Sequence, residues 1–169
     1  MKSKEFREYA HQFVDWMADY MDTVEDYPVK SQVAPKEIYE QIKSEIPQKG
    51  EGMDKIFFDF QNIILAGITH WQNPNFFAYF PANTSPPSIL AEMLTASLGV
   101  QGMKWETSPA STELEERMME WFGNAMGIPK SWTGVIQDSA STATLAAILT
   151  AREQKSKFKI NEGGFDGNT

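Results

Sequence analysis

Along residues 3–25 the apolar positions Phe6, Tyr9, Phe13, Trp16, Met17, Tyr20, Met21 and Val24 recur at spacings of three and four, one stripe of an amphipathic helix. Ser3 stands where an N-cap is expected, since its hydroxyl can accept a free N–H of the first turn. The stripe is unusually aromatic. A helix of this length is rarely stable alone, so it must pack on something large. A core-facing helix and a clamp on a second subunit both meet that need. Pro28 ends the helical region, and Pro35-Lys36-Glu37 reads as the first turn of a short helix with proline at N1, stopping before Pro47. Residues 48–52 are polar and contain glycine, hence a loop. Met53, Ile56, Phe57, Phe60, Ile63 and Ile64 then form a second stripe that Gly67 is placed to close.

The texture changes at residues 69–87. THWQNPNFFAYFPANTSPP holds five aromatic side chains, a histidine, four prolines and an Asn-Pro turn signal. It is too broken for a helix and too aromatic for a solvated loop. Rigid rings on a proline-fixed, irregular backbone suit a pocket wall, and equally a loop that plugs a core. Pro86 or Pro87, capped by Ser85, opens a helix carrying Ile89, Leu90, Met93, Leu94 and Leu98, with Gly99 and Gly102 loosening its end. Another starts after Ser108-Pro109 and runs through Leu114, Met118, Trp121, Phe122 and Met126 to Gly127. Glu113, Glu115 and Glu116 are read as lying in its first turn, where they suit the positive helix end. Within residues 133–155, Gly134-Val135-Ile136-Gln137 allows a very short extended piece. Residues 138–144 are a small-residue turn opening the alanine-rich helix LAAILTAR. Beyond Lys155 the chain is polar and ends in a glycine-rich loop, NEGGFDGNT.

Composition narrows the classes. With 41% hydrophobic and 22% charged residues, the 169-residue chain is ordinary globular material rather than disordered. A net charge of −8 without a basic run argues against nucleic acid as partner. No cysteine is present and only His11 and His70 are histidines, so neither a disulfide framework nor a metal site is expected. The N-terminal residues are charged throughout, unlike a signal peptide, and no stretch approaches the roughly 20 apolar residues of a membrane span. A soluble intracellular protein is the reading that follows.

Candidate chemistry lies in the turns. A helix N-terminus offers unpaired N–H groups and partial positive charge to a phosphate, and Ser139, Ala140 and Ser141 are small enough to let an anion approach. The same residues are common caps, and Asp138 opposes a bare anion unless its carboxylate caps the turn or points away. No Ser/His/Asp order, HExxH or P-loop occurs. His70, beside Trp71, suits a satisfied structural residue better than a catalyst. Residue chemistry alone stops at a mostly helical acidic domain with an aromatic pocket or interface.

Three segments in order, THWQNPNFFAYFP, MKWETSPASTELE and VIQDSASTATLAAILTAR, resemble the group II pyridoxal-phosphate-dependent decarboxylases acting on aromatic amino acids. The resemblance covers nearly the whole chain. It implies an α/β fold of the aspartate-aminotransferase type (fold type I), of which this chain is the mostly helical N-terminal portion. Residues 1–82 would be a helical segment embracing the partner subunit of a homodimer, and residues 83–169 the start of the large cofactor domain. By the same resemblance Trp71, Tyr79, Phe80 and Pro81 line the substrate pocket. Ala82 falls where relatives often carry a hydroxyl residue. Gln101 and Met103 close the pocket from the partner subunit, where relatives carry isoleucine and phenylalanine. Ala140 and Ser141, with Ser139 beside them, hold the phosphate of pyridoxal 5′-phosphate, and Asp138 replaces a glycine of some relatives.

The lysine that holds the cofactor, the histidine that stacks on its ring and the aspartate that pairs with its nitrogen have no counterpart in matching motifs here. The implied activity is decarboxylation of an aromatic L-amino acid to its amine by a cytoplasmic enzyme. The chain alone would have no catalytic residue, no metal and no activity, and would depend on the remainder of the polypeptide. Two alternatives stand beside it. One is an aldehyde synthase on the same scaffold, and the other is a non-enzymatic helical module that binds a protein partner.

Overall fold

The computed structural model describes residues 1–80 and 84–165, which form helices and turns with no strand among them. The chain divides into two compact units, Met1–Ile89 and Leu90–Thr169.

In the first unit, helix α1 (Ser3–Thr23) follows the aromatic stripe and passes into a 3-10 turn, Val24–Asp26. Its N-cap is Lys2, one residue before the expected Ser3. The Glu5 carboxylate accepts the Lys2 N–H at 2.7 Å, doing from N3 what a capping side chain would do. Helix α2 (Glu37–Gln41) is a single turn. Pro35 lies outside it rather than at N1, because Lys36 takes a left-handed conformation (φ 74°) at the N-cap. Helix α3 (Met53–Asp59) runs on through a π turn (Phe60–Ile64) and a 3-10 turn (Leu65–Gly67). Gly67 does end this run, although not through a left-handed cap. A Cβ there would lie 2.9 Å from Ile38 Cγ1, so the missing side chain lets α2 approach.

The α1 stripe is met within its own chain. Phe13 packs on Phe57 with centroids 4.6 Å apart, and Trp16 sets its edge against Phe57 at 6.0 Å and Phe60 at 5.1 Å. Such pairs add about 0.5–1.5 kcal/mol each beyond the area they bury. Phe6, at 60% exposure, is the stripe residue left uncovered.

In the second unit, helix α4 (Pro86–Leu98), which begins in the first, has the Ser85 hydroxyl accepting the Ser88 N–H at 3.4 Å, and Gly99 follows it in the left-handed region (φ 61°). Helix α5 (Pro109–Ala125) has Ser108 as N-cap and proline in its first turn. The acidic residues expected in that turn, Glu113, Glu115 and Glu116, sit one turn later, and two of them act as acceptors. Glu113 takes the Trp105 indole N–H at 2.9 Å, and Glu115 takes the Ile136 N–H at 2.7 Å. That second bond ties down residues 134–137, which are irregular instead of extended in a strand. Helix α6 (Ala140–Ser156) starts earlier than expected, directly after Ser139. The polar tail is not all loop: Lys157 and Phe158 turn left-handed and a short helix α7 (Lys159–Gly163) follows.

Among the described residues no apolar side chain is fully buried; the two buried residues are polar, His70 at 2% and Asn73 at 4% exposure. Leu90, Leu94 and Leu98 on α4, and Leu145, Ile148 and Leu149 on α6, all stay exposed. Apolar faces of this kind are what a further layer of protein covers.

Candidate functional site

The structure brings Trp71 and Tyr79 together. The Trp71 ring stacks on Phe76 at 4.7 Å and on Tyr79 at 5.7 Å, with interplanar angles of 29° and 18°. Phe76 belongs to the same platform and was not singled out from sequence, because five aromatics in one segment carry no mark of which rings will stack. Trp71 remains 42% exposed and Tyr79 71% exposed, so the platform does not fill a core; Phe80, outside the stack, is 99% exposed. Pro81 and Ala82 lie outside the described residues.

The backbone beneath the platform is held by its two buried neighbours. The His70 N–H donates to Val29 O at 2.9 Å, and Asn73 N–H to His70 O at 3.0 Å, closing a turn over Trp71. The Tyr20 hydroxyl and His70 Nδ1 are 2.7 Å apart, and the His70 ring lies 4.7 Å from that of Tyr27. Burial lowers the His70 pKa from its ordinary value, which keeps the imidazole neutral at pH 7 and able to accept. The residue is buried and its polar contacts are satisfied.

In the second unit, Ser139, Ala140 and Ser141 form the start of α6. The Ser139 hydroxyl accepts the Thr142 N–H at 3.3 Å, and Thr142 Oγ1 in turn reaches Ser139 N at 3.2 Å and Asp138 Oδ1 at 2.5 Å. The Asp138 carboxylate is thereby engaged in the cap. Among the described residues no acceptor meets the Ala140 and Ser141 N–H groups or the Ser141 hydroxyl, and both residues are exposed. Free donors, small side chains and the positive end of a 17-residue helix fit a phosphate. Gln101 and Met103 lie on the turn between α4 and α5, and both are exposed.

A cavity of ≈ 620 Å³ opens elsewhere, along α5 and the segment after it, lined among others by Glu116, Glu120, Lys130 and Trp132. It contains none of the expected site residues. Among the described residues no cluster of three His, Asp or Glu side chains is placed to hold a metal, and no helix is long and apolar enough to cross a membrane.

Residues 35–164 match the pyridoxal-dependent decarboxylase conserved domain. Over 160 residues the chain is 44% identical to aromatic-L-amino-acid decarboxylase of Mus musculus, covering 90% of this chain and 33% of that protein. It is 43% identical to phenylacetaldehyde synthase of Arabidopsis thaliana, with 91% and 33% covered. Among solved structures, tryptophan decarboxylase of Catharanthus roseus in complex with L-tryptophan superposes with a TM-score of 0.87 at 40% identity, covering 98% of this chain and 35% of that one. The 4-hydroxyphenylacetaldehyde synthase of Rhodiola rosea gives 0.86 at 35% identity, with 98% and 36% covered. The chain thus spans about a third of the length of these relatives.

Proposed function

Since this chain belongs to the pyridoxal-dependent decarboxylase family, whose cofactor is pyridoxal phosphate, we propose that it supplies pocket and phosphate contacts to an enzyme that releases carbon dioxide from an aromatic L-amino acid, leaving the amine. The observation that carries this reading is the Trp71–Phe76–Tyr79 stack on an irregular, anchored backbone. When bound, pyridoxal phosphate supplies the electron sink for the pair left behind as carbon dioxide departs.

This chain's own residues bind and orient. Trp71, Tyr79 and Phe80 offer flat apolar faces to the substrate's ring. The N–H groups of Ala140 and Ser141 and the hydroxyl of Ser141 hold the phosphate, with Ser139 fixing the helix end beside them. Correct placement of reactants contributes up to roughly 7–11 kcal/mol to a rate in favourable cases. It does not replace the covalent lysine, for which no lysine here stands in the family's motif. The chain alone is therefore expected to be inactive.

In this reading the enzyme is a cytoplasmic homodimer. Residues 1–82 pack on the partner subunit, residues 83–169 begin the large domain, and Gln101 and Met103 close the partner's pocket. The uncovered Phe6 and the exposed apolar faces of α4 and α6 support cover by further protein. A second reading, in which dioxygen serves as oxidant and the products are carbon dioxide, ammonia and an aldehyde, is favoured by the aldehyde synthases among the relatives.

The test is to add pyridoxal phosphate to the full polypeptide, reduce with borohydride and map the labelled peptide by mass. A label on a lysine outside residues 1–169 is expected, and a label on a lysine within them overturns the assignment of roles. Carbon dioxide release from L-tryptophan and L-tyrosine, with the product identified as amine or aldehyde, separates the two reactions. No release from these or from any other aromatic L-amino acid overturns both.

A further inference from the structure

His70 and Asn73, the two buried residues among those described, bracket Trp71 on its turn, and both reach back to the end of α1. Asn73 Nδ2 donates to Val24 O and to Tyr27 O, each at 3.0 Å, while its Oδ1 accepts the Asn75 N–H at 2.9 Å. Its carbonyl accepts the Phe76 N–H at 2.9 Å. His70 is held by the Tyr20 hydroxyl, by Val29 O and by the rings of Tyr20 and Tyr27. Buried polar groups are tolerated when bonded, and these are bonded to one place, the segment that follows α1 and its last turn. Two of the three stacked rings, Trp71 and Phe76, hang from residues fixed in this way.

We propose that Tyr20, His70 and Asn73 are positioning residues, a clasp between the end of α1 and the turn that sets the plane of Trp71 against Phe76 and Tyr79. The proposal rests on the reading of Trp71 as substrate-facing. A platform for the substrate's ring acts alike before and during the reaction, so loosening it raises KM and leaves kcat nearly unchanged.

The experiment uses the full polypeptide loaded with pyridoxal phosphate, following carbon dioxide release from L-tryptophan and L-tyrosine. Tyr20→Phe removes one oxygen and keeps the ring contacts. It is expected to raise KM about three- to tenfold, the scale of one net hydrogen bond, with kcat within about twofold. His70→Asn keeps an acceptor near the position of Nδ1 and is expected to hold KM within about twofold of the parent. In a Trp71→Leu background, Tyr20→Phe is expected to add nothing further, because its effect passes through that ring.

If Trp71→Leu raises KM while Tyr20→Phe does not, the clasp is overturned and the pocket reading stands. Additive effects of Tyr20→Phe and Trp71→Leu also overturn it, since they describe general loosening. If Trp71→Leu leaves KM unchanged, the pocket reading falls and the clasp's role falls with it.

Discussion

The Tyr20 hydroxyl and the His70 imidazole lie 2.7 Å apart although fifty positions separate them in sequence. Either imidazole tautomer can make this bond, Nδ1 accepting the phenol O–H or donating its own N–H to the phenol oxygen. Burial lowers the His70 pKa, and burial together with the nearby Tyr27 raises that of Tyr20.

Stability should therefore fall on both sides of neutrality. Below the ordinary histidine pKa of about 6.5 the unfolded chain binds a proton that folded His70 resists, so this contribution is lost as pH falls through the lowered folded value. Above about pH 10 the unfolded chain ionises Tyr20 while the folded one holds its proton, and stability is lost again. Thermal unfolding as a function of pH checks this. His70→Asn should flatten the acid limb and Tyr20→Phe the alkaline limb; unchanged limbs would place the titration elsewhere.

The packing of Phe13 and Trp16 on Phe57 and Phe60 separates folding from assembly on α1. Trp16→Ala is expected to cost about 2 kcal/mol, less than the 3–5 of a fully buried ring, because Trp16 is only half-buried. Phe6→Asp should leave the melting temperature near the parent's and weaken the proposed dimer. Denaturant unfolding and sedimentation at low concentration together distinguish these effects.

At the start of α6, capping and anion binding fall on different residues. Ser139→Ala removes the acceptor of the Thr142 N–H and should cost about 1 kcal/mol of stability. Ser141→Ala, whose hydroxyl has no partner among the described residues, should leave stability unchanged and weaken binding of pyridoxal phosphate. Asp138→Asn should tighten that binding about two- to fivefold, the scale of one exposed charge interaction. Absorbance titration with the cofactor, paired with melting of the cofactor-free protein, tests all three.

Gly67 tests the contact between α2 and the run that follows α3. Gly67→Ala puts a methyl 2.9 Å from Ile38 Cγ1, and overpacking of this kind costs about 1–3 kcal/mol. Ile38→Ala in the same protein should recover part of the loss. A double-mutant cycle in denaturant gives the coupling, and strict additivity would mean that the contact is absent in solution.

Much of this protein was legible before any coordinates. The stripes at α1 and α3, the cap Ser85 and the irregular aromatic segment around Trp71 are local features, set by periodicity and by residues that either make or refuse helical hydrogen bonds. The family resemblance was carried by three short segments, of which the aromatic one around Trp71 is the first. Where local rules competed, the sequence misled. Glu113 and Glu115 resembled first-turn charges yet serve as acceptors for Trp105 and Ile136, and Gly67 resembled a left-handed cap yet makes room for Ile38.

What the sequence determined by itself is which stretches are helical and which residues face one side of them, because those depend on neighbours three or four positions away. The tertiary structure alone decided which rings meet and which polar groups are buried. Phe13 finds Phe57, Tyr20 finds His70, and Asn73 finds the carbonyls of Val24 and Tyr27. Those pairings join residues more than forty positions apart, where only the path of the folded backbone brings donor to acceptor and ring to ring.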